Sequence, residues 1–128
     1  MKILLFAFSL MGFIGLVEAC EPNEIAFPKS KVCSKLTWIT GPSINQFNSA
    51  TVQLSETSLK LNVTPWMVMM GGHEHGSRPV IINEVSPSDY LIEKIYFMGG
   101  MQGSWFLKFQ LINDKKEIVE EVRSLVSL

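Results

Sequence analysis

The sequence predicts an all-β domain, an antiparallel β-sandwich, over residues 20–128. Three observations predict it. The chain has 128 residues, room for one domain with a core and not for two. Several short runs alternate apolar and polar residues with a period of two, the mark of a half-buried strand. Turn residues separate these runs, giving about seven strands in regular succession.

The first nineteen positions read as a signal peptide (residues 1–19) rather than as part of the fold. Lys2 gives a short basic start, residues 3–16 an apolar run, and Val17-Glu18-Ala19 a small-residue cleavage site. The run is short for a membrane span, and a polar, proline-containing segment follows it. The expected location is therefore outside the cytosol, periplasmic or secreted.

Cys20 has two readings. Leu16-Val17-Glu18-Ala19-Cys20 resembles a bacterial lipoprotein box, with Glu18 unusual in it; lipidated, Cys20 would hold the chain at a membrane as an accessory subunit. Alternatively Cys20 pairs with Cys33, since two cysteines in an exported chain default to a disulfide. Such a short loop stabilises by roughly 3 kcal/mol on the chain-entropy model.

Residues 21–32 hold Pro22 and Pro28 and read as an extended leader tied down by Cys33. Leu36 and Trp38 then alternate with Lys35 and Thr37, until Gly41-Pro42 ends the run. Ala50, Val52 and Leu54 form a second strand pattern, and Leu59, Leu61 and Val63 a third. Pro65 marks an edge or a break before Trp66. Residues 80–82 form a short strand, and 83–89 a turn-rich connection. Residues 90–97 follow as a strand with Leu91, Ile95 and Phe97 on one face. Trp105, Leu107, Phe109 and Leu111 then alternate with Phe106, Lys108, Gln110 and Ile112, and Asn113-Asp114-Lys115 signals a hairpin turn. In residues 117–128 the apolar spacing fits a helix better, but a final strand would complete a sandwich and is the expectation. Trp38, Leu54, Leu61, Phe97, Leu107 and Phe109 should share one core.

Net charge is −1, so nothing points to a nucleic-acid partner. No nucleophile sits beside a plausible base, and the cysteines lack the redox Cys-x-x-Cys spacing, so the chain does not read as an enzyme. Asn62-Val63-Thr64 is formally a glycosylation sequon; Pro65 after it and the bacterial-looking signal mark a chance match.

The candidate chemistry lies in two glycine-rich segments. Residues 66–79 carry Met67, Met69, Met70, His73 and His75, and residues 98–105 carry Met98 and Met101. Thioether with imidazole suits a soft metal, copper(I) above all. The candidate ligands are His75, Met101, Met70, Met67, Met69 and His73. Met98 sits nearer a strand and reads as packing. In an extended backbone His73 and His75 share a side, as do Met67 and Met69, with Met70 opposite. Glu74 reads as a solvated acid or a group orienting an imidazole. Trp66 and Trp105 are expected to pack beneath the two loops. Since those loops enter the strands at 80–82 and 105–112, adjacent strands would set Met101 facing the 67–75 loop. The competing class is a non-enzymatic structural or protein-interaction module whose methionine loops form an adaptable contact surface.

Trp66-Met67-x-Met69-Met70-Gly71…His75-Gly76-Ser77-x-Pro79-Val80, then Tyr90, then Phe97…Met101-x-Gly103-x-Trp105 resembles the YtkA-like (FixH-related) exported domains. Their pattern runs Met-Pro-x-Met-x-His-Gly before a strand, then Tyr, then Phe-x-Met-x-Gly-x-Trp before another. The stretch Phe27-Pro28…Cys33-x-Lys35-Leu36-x-Trp38…Gly41-Pro42 is also similar to exported members with paired cysteines. Val68 replaces the family's proline, and Gly72-His73-Glu74 looks like an insertion; His75 before Gly76 is the closer match to the family's histidine. The resemblance implies an immunoglobulin-like sandwich and copper handling linked to respiratory oxidase assembly. Its partner would be a copper-receiving or membrane oxidase-assembly protein.

Overall fold

A computed structural model describes residues 20–128; the signal-peptide reading of 1–19 lies outside them. The described residues form nine strands and no helix. These are β1 (Ile25–Phe27), β2 (Val32–Thr40), β3 (Phe47–Leu54), β4 (Lys60–Met69), β5 (Glu74–Gly76), β6 (Ile81–Ser86), β7 (Asp89–Tyr96), β8 (Gly103–Ile112) and β9 (Ile118–Leu125). They make two antiparallel sheets, in the orders β1-β2-β3-β7-β6 and β5-β4-β8-β9. The β-sandwich class is as expected. The two strands beyond the expected seven or so are the three-residue β1 and β5, too short to show a period.

Alternation fills the core. Leu61, Val63 and Met67 of β4 face Trp105, Leu107, Phe109 and Leu111 of β8, while Ala50, Val52, Leu54, Tyr90 and Ile92 come from the other sheet. Of the six residues expected in the core, Leu54, Leu61, Phe97, Leu107 and Phe109 are buried and Trp38 is half-buried. Trp38 and Trp105 meet Phe97 edge to face, at 6.1 and 5.5 Å between ring centroids. That aromatic chain spans both sheets at one end of the sandwich.

Two local expectations change, and two others are met. Leu91 does not share a face with Ile95 and Phe97. Glu93 and Lys94 bulge opposite Ser49, with Lys94 at φ 64°, and the extra residue brings Tyr90 and Ile92 inward instead. Residues 83–86 are strand, because β6 pairs with β7 as far as Ser86↔Asp89, and only Pro87 and Ser88 turn. Residues 117–128 contain, as expected, the strand that completes the second sheet; the helical spacing misleads because a β-bulge beside Ile118 breaks the alternation. Pro65 does not break β4; it stands at an edge, the first of its two readings. The Met69 amide donates to the His73 carbonyl at 2.7 Å, so by alternation the Pro65 nitrogen faces the same edge. There β5 has already stopped at Gly76, and no ladder bond is lost.

Two ties join distant parts of the chain. Cys20 and Cys33 form a disulfide, with Cα atoms 5.6 Å apart. That sulfur cannot also carry a lipid thioether. Glu120 of β9 is buried and accepts the backbone amides of Lys29 and Ser30 at 3.1 and 2.7 Å, tying the second sheet to the β1–β2 turn of the first. Burial pushes its carboxyl up, but the Lys29 and Ser30 hydrogen bonds outweigh burial and hold it below the ordinary glutamate value.

Replacing Leu107 by Ala, at the centre of the core, should cost about 2–5 kcal/mol in denaturant unfolding. A depressed carboxyl stabilises the fold in its ionised form, fully above its unfolded pKa, and the contribution is lost as pH falls through the folded pKa. Glu120→Gln should therefore cost about 1–3 kcal/mol at neutral pH. The gap to the parent should close below the glutamate range, as unfolding curves across pH would record.

A candidate metal centre at one end of the sandwich

Gly71 and Gly72 both take φ 95°, and the Gly72 amide donates to the Met69 carbonyl at 3.1 Å. Two successive left-handed positions suit glycine, and they fold β5 back on β4. The resulting register sets Met67 opposite His75 on one side and opposite Trp105 on the other. Residues in register share a face. His75, Met67 and Trp105 therefore form one inward row across β5, β4 and β8.

Met67 is buried at 1% exposure, His75 is half-buried, and the His75 and Trp105 rings meet edge to face at 6.2 Å. The His75 Nδ1 lies 2.9 Å from the Gly76 carbonyl. In the neutral ring this fixes the proton on Nδ1 and leaves the Nε2 lone pair for a ligand bond. A Cβ built on Gly103 would stand 2.7 Å from the Met67 Sδ and 2.5 Å from the Val68 carbonyl, so the thioether lies over a position that only glycine leaves open.

The other candidates divide. Met69, opposite Gly103, and Met101 are half-buried and pack against the same core. The Met70 amide donates to the Gln102 carbonyl at 3.2 Å, which carries the β4–β8 pairing one step past its end and places Met101 beside that bond. Met70 itself is 74% exposed, and His73 is exposed in the turn. Met98 is exposed too, rather than packed, and its carbonyl accepts the Trp105 indole N–H at 3.0 Å. The two methionine segments adjoin because β4 pairs with β8. Pairing of residues 80–82 with 105–112 does not occur, since β6 is an edge strand of the other sheet.

Glu74 and Trp66 lie on the opposite, outer face. The Trp66 indole N–H donates to the Glu74 carboxylate at 2.7 Å, and Arg123 lies 3.1 Å from the same carboxylate. The Trp66 bond, with help from Arg123 and against burial, holds the Glu74 carboxyl below its ordinary value. Glu74 thus orients no imidazole. Trp105 packs beneath the loops as expected. Trp66 does not: it carries the Lys108 ammonium 3.3 Å above its ring and the Arg123 guanidinium at 5.9 Å. The β5 hairpin was the part missed from sequence. Gly71-Gly72 is a hairpin signal; the loop that forms has three residues, Met70-Gly71-Gly72, and that length pairs Met67 with His75, where a two-residue loop would pair it with Gly76.

Among the described residues, the one cluster of His, Cys, Asp or Glu side chains close enough to share an ion is Cys20, Glu24 and Cys33, and its two sulfurs are bonded to each other. Compared with known families, curated proteins and solved structures, the chain matches none. Fold and site together define a disulfide-bonded antiparallel β-sandwich with thioethers and one imidazole gathered at one end.

Gly103→Ala would drive a methyl group into the Met67 sulfur and the Val68 carbonyl. It should lower stability by about 1–3 kcal/mol, as overpacking does. Thermal unfolding of the variant measures this.

Proposed function

We propose that this chain is an exported copper(I)-binding protein, a carrier or chaperone of the YtkA-like kind with an immunoglobulin-like sandwich. The observation that carries the reading is the register that sets Met67 and His75 side by side on one inward row. His75 would supply imidazole through Nε2. Met101, Met67 and Met69, all at that end, would supply thioether. Met70 and His73 are exposed beyond them and would take part in loading and release rather than in holding. Copper(I) accepts these donors well, whereas zinc does not favour thioethers. Protonation of the imidazole competes with the metal, so acid would favour release. The disulfide supports an oxidising compartment. The receiving partner would be a copper-accepting or membrane oxidase-assembly protein.

A second reading, an interaction module, draws on the exposure of Met70 and Met98, which would form an adaptable apolar contact.

Anaerobic titration against a copper(I) chelator separates the two. The parent should compete for copper(I) and bind zinc far more weakly. His75→Ala and Met101→Leu should each lose at least about tenfold in affinity, the loss seen even for outer-shell partners. Met67→Leu, which keeps the core volume, should also weaken binding. If the parent does not compete, or all variants compete equally, the interaction module replaces the carrier.

A further inference from the structure

The second sheet ends on β9, eight residues long, and no described strand pairs with its far edge, although β1 packs close to β9. Such an edge is a template for another strand unless it is short, kinked or blocked. Edges β1 and β5 have three residues each, and β6 holds six with an irregular register at Glu84 to Ser86. On β9 the irregularity lies at one end, beside Ile118, and Glu120 to Leu125 run straight. The inward charge of Glu120, a common block to edge pairing, is already satisfied by the Lys29 and Ser30 amides.

The edge has a definite polarity. The Val126 amide donates to the Trp105 carbonyl at 2.9 Å. By alternation the amides of Val122 and Ser124 face β8, and those of Glu121, Arg123 and Leu125 face outward along the open edge. Glu121 and Arg123 also share the outer face, in register with Gln110 and Lys108. A side-chain ladder there runs from Asn62 to Gln110 at 3.0 Å and from Gln110 to Glu121 at 2.9 Å, and stops at the edge.

A second copy of β9 fits this edge antiparallel. Centred on Val122, the pairing puts Glu121 of each copy opposite Arg123 of the other, both in hydrogen-bonding positions. Sliding by two residues either way sets Glu121 against Glu121 or Arg123 against Arg123, and like charges directly opposite are unfavourable. Sliding by one opposes outward amides to inward ones and reverses the faces. Beyond the charged pairs, Leu125 of one copy, 62% exposed, comes beside Ile118 and Val119 of the other, 56% and 41% exposed. We propose that two copies of this chain pair through β9 about a two-fold axis at Val122, joining two four-stranded sheets into one. This interface is separate from the copper reading and stands or falls without it.

Sedimentation equilibrium of the purified protein should give twice the chain mass, falling toward the monomer on dilution. Arg123→Glu and Glu121→Arg should each raise the dimer Kd by at least about tenfold, because every reversal acts twice across the axis. The double swap Glu121→Arg with Arg123→Glu should restore the dimer. Arg123 also binds Glu74 within the chain, so a Val122→Cys variant gives an independent readout. Its two thiols would face each other at the axis, at a separation a disulfide can span, and mild oxidation should cross-link them while Ser124→Cys does not. A parent that stays monomeric, a dimer indifferent to either reversal, or a Val122→Cys variant that fails to cross-link would each overturn the proposal.

Discussion

Ten consecutive pairs, from Lys60↔Ile112 to Met69↔Gly103, lock β4 to β8 without a bulge. Because side chains alternate strictly along a strand, a slip of one residue here would turn every core residue of one of the two strands outward. The buried set Leu61, Val63, Met67, Trp105, Leu107, Phe109 and Leu111 resists that slip. The same ladder decides where the methionines go. It ends at Gly103, which leaves space for the Met67 sulfur, and delivers Met101 to the side of the β4–β5 turn.

A single strand serves two surfaces. Within four residues of β4, Trp66 and Val68 turn outward and Met67 and Met69 inward. The inward pair belongs to the core and the candidate ligand set. The outward face builds a polar lattice in which Trp66 is held by Glu74, Lys108 and Arg123. That lattice fixes the β4–β5 hairpin from outside while His75 sits on its inner side. His75 and Glu74 are neighbours in the chain, yet the pleat separates their roles completely.

The strands were legible in the sequence wherever alternation ran for five residues or more, as in β3, β4 and β8. Alternation failed where a bulge changed its parity, at Lys94 and beside Ile118, because an inserted residue leaves no mark in composition. It was also silent on strands of three residues. Of the site, the residue types were legible and the partition was not. Nothing in the spelling of Met67, Met69 and Met70 tells which thioether is buried. That follows from which strand lies alongside, a long-range fact. The pairing of Cys20 with Cys33 was legible because two cysteines leave a single intramolecular choice.

Pro65 has a bearing on the size of any assembly. Its nitrogen points to the flank of the second sheet opposite β9, beyond the end of β5, and offers no hydrogen there. A strand arriving at that flank would find only the three residues of β5 and then a missing donor. The sheet is therefore terminated chemically on one side and open on the other. Growth by strand addition has a single direction, and a two-fold contact uses it up. A β-protein built this way can associate through its second sheet without extending that sheet into a fibre.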